Sequence, residues 1–108
     1  MSARIKKHWA YIHLLAKTSS TQQRKALLET ITTEQFKALS EVILNVVHLK
    51  VPIPKSAVAR LKRHRETIGL LADRKVSARR RLEVLTSNLN LVIKILRTAL
   101  PGLHTLLI

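Results

Sequence analysis

The sequence predicts an all-α fold, a single domain built as a compact bundle of four or five helices. Apolar residues recur at helical spacing along most of the chain, and no segment alternates polar and apolar residues as a strand does. Only two glycines and three prolines occur in 108 residues, which leaves long stretches without helix breakers. Although the net charge is +14, 46% of the residues are apolar, which favours a folded core over disorder.

The N-terminal part of the chain predicts two helices. Ile5, Trp9 and Ile12 share one helical face and predict a helix over residues 3–17. The polar run 18–21 interrupts this pattern and supplies N-cap residues for a short helix at about 22–31. The sequence leaves open whether residues 1–32 pack on the bundle or form a loosely packed arm.

A third helix begins at a capping box. Thr32 and Gln35 have the spacing at which each side chain bonds the other's backbone N–H. The helix is expected to run to about Leu49, and the segment 51–54 must be extended because each of its two prolines restricts the residue before it. The predicted core stripe of this helix is Phe36, Leu39, Ile43, Val46 and Val47.

The fourth helix is predicted over residues 55–73, with Pro54 at its start. On a helical wheel, His64 falls within the apolar arc of this helix, where a histidine at the edge of the core is a better interpretation than a ligand. The same arc contains Ala57, Leu61, Ile68, Leu71 and Ala72, and the opposite face carries Lys55, Arg60, Lys62 and Arg63.

The last helix is predicted over residues 78–99, with Ser77 as its N-cap and Pro101-Gly102 as its stop. Its apolar arc covers half the circumference or more, so the helix is expected either at the centre of the bundle or at an interface with a second copy. Residues 101–108 are expected to form a short apolar tail. The candidates for self-association are Val84, Leu91, Ile95, Leu103 and Leu106.

Positive charge is concentrated in residues 50–81, which we call the basic band. It holds eleven Lys and Arg against Glu66 and Asp73, a net charge of +9. Such a concentration is typical of a surface that neutralises phosphates and releases counterions. The predicted nucleic-acid-binding residues are Lys55, Arg60, Lys62, Arg63, Arg65, Arg74, Lys75, Arg79, Arg80 and Arg81.

Neither an enzyme nor a cofactor is indicated by the sequence. The chain lacks cysteine, its six carboxylates are scattered, and no histidine pair forms a His-x-x-x-His motif with a supporting Glu. Neither glycine belongs to a phosphate-binding loop. With only three aromatic residues, a base-stacking surface is not expected. Arginines in the first turn of the last helix oppose the helix dipole, and a bound phosphate would relieve that repulsion.

The region from about 38 to 100 resembles the small basic helical proteins of Polinton/Maverick-type and adintovirus-like double-stranded DNA elements, which are related to the adenovirus lineage. An Ile/Val-rich helix with a central Asn45 precedes the proline linker 51–54, and the basic runs 61–65 and 74–81 follow it. The sequence departs from the pattern at 86–89, where Thr-Ser-Asn-Leu stands instead of a Gly-Gly. The resemblance implies a protein of the virion or of the host nucleus.

These observations predict a non-enzymatic protein that binds double-stranded DNA through its phosphates, without sequence preference, and condenses or packages a viral or virus-like genome as a homo-oligomer. One alternative is a minor structural protein that contacts the capsid. The other is a cationic protein that acts on membranes through the C-terminal amphipathic helix. A signal peptide is not expected, because the basic N-terminus lacks an unbroken apolar run with a small-residue cleavage site. A membrane span is not expected either, because Lys94, Arg97 and Pro101 interrupt the most apolar window.

Overall fold

Eight helices follow one another in the computed structural model, which describes residues 3–48, 50–73 and 75–107. The all-α class is confirmed, and no strand occurs within these residues. The helices are α1 (Ala3–Lys7), α2 (Trp9–Lys17), α3 (Thr21–Glu29), α4 (Thr33–Val47), α5 (Lys55–Arg63), α6 (Arg65–Ala72), α7 (Ala78–Ser87) and α8 (Leu89–Leu107).

Three of the five predicted helices are each divided by a single residue. His8, His64 and Asn88 have φ between −106° and −122° with positive ψ, outside the helical region. At Asn88 the side-chain amide donates to the carbonyl of Val84 at 2.9 Å, and the backbone N–H donates to the same oxygen. The Val84 carbonyl thus accepts from both the side chain and the backbone of Asn88, a local bonding pattern typical of asparagine.

The predicted helix starts are confirmed. The Thr32 and Gln35 side chains form both bonds of the capping box. Ser20 caps α3 by accepting from the N–H of Gln23, and Ser77 caps α7 by accepting from the N–H of Arg80. The structure thus begins these helices where short polar side chains satisfy free backbone donors.

The core is centred on α4, which packs against α1, α2, α6 and α8. Leu39 and Ile43 of α4 are fully buried, as are Ile68 on α6 and Leu96 on α8. Val47, which the sequence pattern placed in the core stripe, is exposed at the end of α4. The radius of gyration is 12.7 Å, close to the roughly 13 Å expected for one domain of this length.

The N-terminal helices belong to this core and are not a loose arm. Ile5 of α1 and Ile12 and Leu15 of α2 have no exposed surface. Arg4 joins α1 to α4, because its guanidinium donates to Glu41 at 2.7 Å. The Tyr11 hydroxyl joins α2 to the end of α3 by donating to the carbonyl of Leu27 at 2.8 Å.

The C-terminal part differs from the expectation, since α8 continues through Pro101 and Gly102 to Leu107. Pro101 lies on the exposed side of the helix, and Leu103 on the inner side is fully buried. Gly102 lets α8 approach the proline linker: a Cβ at this position would lie 2.6 Å from the carbonyl oxygen of Pro52. Residues 101–107 are therefore a packed helical end rather than a tail.

His64 also departs from its predicted place in the apolar arc. The helix is interrupted at this residue, and the His64 side chain is exposed, although Ala57 and Ile68 of the same arc are buried. The predicted end of the third helix at Leu49 and the band residue Arg74 lie outside the described residues.

Candidate nucleic-acid interface

Helix α5 presents the first group of basic side chains. Ala57 is buried against the rest of the molecule, so Lys55, Lys62 and Arg63 on the other side are exposed. Arg60 is half-buried beside a small cavity that Lys94 and Ile95 of α8 also line. Arg60 is therefore less accessible to solvent than the other three.

The exposed positions continue into α6 and the following turn. Arg65, at the start of α6, is exposed, and so is Lys75 beyond its end. Asp73 accepts a hydrogen bond from the backbone N–H of Lys75 at 2.9 Å, which holds the turn that leads into α7. The turn places Lys75 close in sequence and space to the cap of α7.

The three arginines that open α7 have different surroundings. Arg79 and Arg80 are exposed, and both approach the carboxylate of Glu83, at 4.0 and 3.4 Å. Arg81 is turned inward: its guanidinium lies 5.1 Å from the centre of the Phe36 ring and donates to the Ser40 hydroxyl at 3.3 Å. Arg81 is thus partly engaged in the packing of α7 on α4, whereas the other two remain open to solvent.

Helices α5 and α6 carry five Lys and Arg and one carboxylate, that of the exposed Glu66. Among the described residues, no carboxylate lies within ion-pair distance of Lys55, Lys62, Arg63 or Arg65. These four side chains are solvent-accessible basic hydrogen-bond donors, which is the chemistry that contacts phosphate oxygens. Nothing in their arrangement selects a base.

The expected self-association residues are mostly in the core of the single chain, which is a correction. Val84, Ile95 and Leu103 are at most 6% exposed, and Leu91 is half-buried. The broad apolar arc is explained by the central position of α8, so Val84, Ile95 and Leu103 offer almost no free surface to a second copy. The Leu106 side chain lies outside the described part of the structure.

One basic surface was missed in the sequence because its members are far apart along the chain. Helices α2 and α8 pack together, and Lys17 and Arg97 meet in a groove between them. The available signal was the complete absence of Asp and Glu from residues 3–17 and 89–107. Residues 89–107 contribute little to the net charge, so the sum of charges along the chain did not reveal this surface.

A cleft of about 740 Å³ lies between α3 and the α7–α8 junction. Within the described residues, no three His, Asp or Glu side chains come together as a metal site requires. Burial raises the pKa of Tyr11 to about 12. None of the helices, over the part of the chain that was searched, combines the length and apolarity needed to cross a bilayer.

No protein-family model, curated protein or solved structure matches the chain. The geometry of the surface therefore carries the functional proposal.

Proposed function

We propose that the protein binds double-stranded DNA through its phosphates and that it does so through the exposed residues of the basic band. The observation that supports this most is the set of unpaired cations on α5 and α6: Lys62, Arg63 and Arg65 are exposed and have no carboxylate within 4.0 Å among the described residues. A surface charged only for solubility would carry both signs. Arg79, Arg80 and Lys75 extend the same chemistry to the start of α7.

Binding is through the backbone and without sequence preference. The exposed donors are lysine and arginine, and in the described structure α7 buries Val84 and Leu85 one turn beyond its arginines. A recognition helix needs several side chains directed at base edges along one face. Phosphate contacts alone give affinity that depends strongly on salt and little on sequence.

The biological role we propose is condensation or packaging of a viral or virus-like genome, in the virion or the host nucleus. This context comes from the sequence resemblance to proteins of Polinton-like elements. If a homo-oligomer bridges two duplexes, its interface must use residues other than Val84, Ile95 and Leu103, because these are buried. The membrane alternative would require the apolar side of α8, which the core already occupies.

The test is a titration of labelled duplex DNA with a charge-reversed variant. Lys62→Glu/Arg63→Glu/Arg65→Glu changes three exposed residues and should weaken binding by at least about tenfold at about 50 mM salt. The matched control, Lys6→Glu/Lys7→Glu/Lys25→Glu, makes the same change in net charge at exposed positions outside the band. Equal weakening by both variants, with helical content intact, would show that binding does not use the basic band.

A further inference from the structure

The face formed by α2 and α8 is cationic because it lacks acidic residues, whereas the basic band is cationic because it is rich in Lys and Arg. Neither helix contains Asp or Glu, and α1, which precedes α2, has none either. The groove between α2 and α8 has a volume of about 240 Å³ and no residue in common with the band. We call it the Trp9 groove. Its floor is the buried Leu100, and its walls are Trp9, His13, Lys17, Arg97, Pro101 and His104.

Arg97 is held in position at one side of the Trp9 groove. Its Nε donates to the backbone carbonyl of Ala16 at 2.6 Å, across 81 positions of sequence. This carbonyl lies in the last turn of α2, where helical acceptors lack partners within the helix. Within the described residues, no hydrogen bond occupies the two terminal amino groups of Arg97. Because its Nε holds the guanidinium in place and its terminal amino groups are free, Arg97 can donate hydrogen bonds to an oxyanion.

Lys17 adds a second charge beside Arg97. Its side chain is exposed at the end of α2, and no carboxylate approaches it within the part of the chain that the structure describes. The two cations together present the charge and donors that a phosphodiester group requires.

Trp9 supplies an aromatic surface next to these cations. The indole is half-buried, so its position is fixed by packing while part of it faces the groove. The His13 ring lies 6.1 Å from it, tilted by 54°. An indole beside a phosphate site is the arrangement on which single-stranded nucleic acids stack their bases.

We propose that the Trp9 groove binds one nucleotide unit of a single-stranded nucleic acid, with the phosphate on Arg97 and Lys17 and the base against Trp9. A duplex keeps its bases stacked within the helix and cannot offer one to the indole. The scarcity of aromatic residues agrees with a site for one base rather than an extended stacking surface. This second site goes beyond the duplex-binding surface proposed above.

Trp9 is the only tryptophan of the chain, so its fluorescence reports on this site directly. Titration with a short oligothymidylate should quench the emission, because a stacked base quenches an indole. A duplex of equal length and inorganic polyphosphate, which lacks bases, should leave the emission nearly unchanged. Saturation is established separately from the anisotropy of a labelled oligonucleotide. Unchanged emission at saturation, or equal quenching by polyphosphate, would overturn the proposal.

Substitutions locate the site. Lys17→Ala/Arg97→Gln removes two charges from the Trp9 groove and should weaken oligothymidylate binding by roughly tenfold. The control Lys25→Ala/Lys94→Ala removes two exposed charges from outside the groove and should change the affinity by less than about twofold. Equal losses in the two variants would refute the assignment.

A further pair of variants keeps the test valid if loss of the Arg97 contact unfolds the protein. Lys17→Glu should weaken oligothymidylate binding more than Lys25→Glu, since both lysines are exposed and only Lys17 lines the groove. No difference between these two would overturn the proposal. Failure of the duplex-binding proposal would appear differently: the band variant Lys62→Glu/Arg63→Glu/Arg65→Glu and its control would lose duplex affinity equally, while oligothymidylate would still quench Trp9.

Discussion

Arg81 and Arg79 belong to the same basic cluster but have different surroundings. Its guanidinium packs on Phe36, whereas the side chain of Arg79 is 94% exposed. We expect Arg81→Ala to lower the free energy of unfolding by about 1 kcal/mol, through the lost contact with the ring. Arg79→Ala should change it by less than about 0.5 kcal/mol. Urea denaturation followed by circular dichroism measures both, and equal stabilities would argue against the packing role of Arg81.

The two glycines of the chain make a second matched pair. Gly102→Ala would place a Cβ 2.6 Å from the Pro52 carbonyl oxygen and 2.9 Å from Val51, so it should destabilise the protein by about 1–3 kcal/mol. Gly69 lies inside α6, and a Cβ added there would meet no neighbouring group within 4 Å. Gly69→Ala should therefore stabilise by about 0.5–1 kcal/mol. Thermal unfolding should shift in opposite directions for the two variants.

The raised pKa of Tyr11 predicts that the protein loses stability at high pH. Burial raises its pKa from 10.0 to about 12, so the folded protein favours the protonated phenol. Its contribution is complete below pH 10 and decreases as the pH rises towards 12, because the unfolded chain releases the proton first. Tyr11→Phe should lack this contribution, although it also loses the hydrogen bond to Leu27. A wild-type-to-variant stability difference that stays constant between pH 9 and 12 would contradict this.

At the scale of the helix, the capping box is a local device with a measurable effect. Thr32→Ala removes the hydroxyl that accepts from the N–H of Gln35, and it should cost about 1 kcal/mol of stability. Thr33→Ala, one residue into α4, changes an exposed threonine that does not cap the helix and serves as the control. Chemical denaturation distinguishes them, and a neutral Thr32→Ala would mean that the N-terminus of α4 is held by other contacts.

The starts of the helices could be predicted from sequence, because caps depend on residues within one turn. The breaks within the helices and the ends of the helices could not be predicted in this way. Pro101 signals a stop, yet α8 continues because Leu103 is buried and Gly102 fits against Pro52, a residue far from it along the chain. The helical pattern placed His64 at the edge of the core, but its side chain is exposed at the point where the helix is interrupted.

At the scale of the molecule, the sum of charges along the sequence described only part of the basic surface. Glu83 is near Arg79 and Arg80 because of helical spacing, so that pairing could be predicted from sequence. The burial of Arg81 on Phe36 and the meeting of Lys17 with Arg97 depend on tertiary packing. The positions of these arginines relative to solvent therefore required the fold.

The salt dependence of duplex binding follows from the number of phosphates neutralised. Contacts to about six phosphates give a plot of log K against log salt with a slope of about −5. In Lys62→Glu/Arg63→Glu/Arg65→Glu the slope should fall in magnitude by about 3, since each lost contact removes about one released counterion. Anisotropy titrations across a salt series measure this, and an unchanged slope would mean that these residues do not contact phosphate.

The pairing of α2 with α8 also has a consequence for biosynthesis. Ala16 and Arg97 are 81 positions apart, so α2 leaves the ribosome long before the helix that covers it. Until then, Ile12 and Leu15 have no α8 to pack against, and the core around α4 is incomplete. The core of this chain therefore cannot be completed before α8 has been synthesised, and until then the nascent chain exposes apolar residues to aggregation and to chaperones.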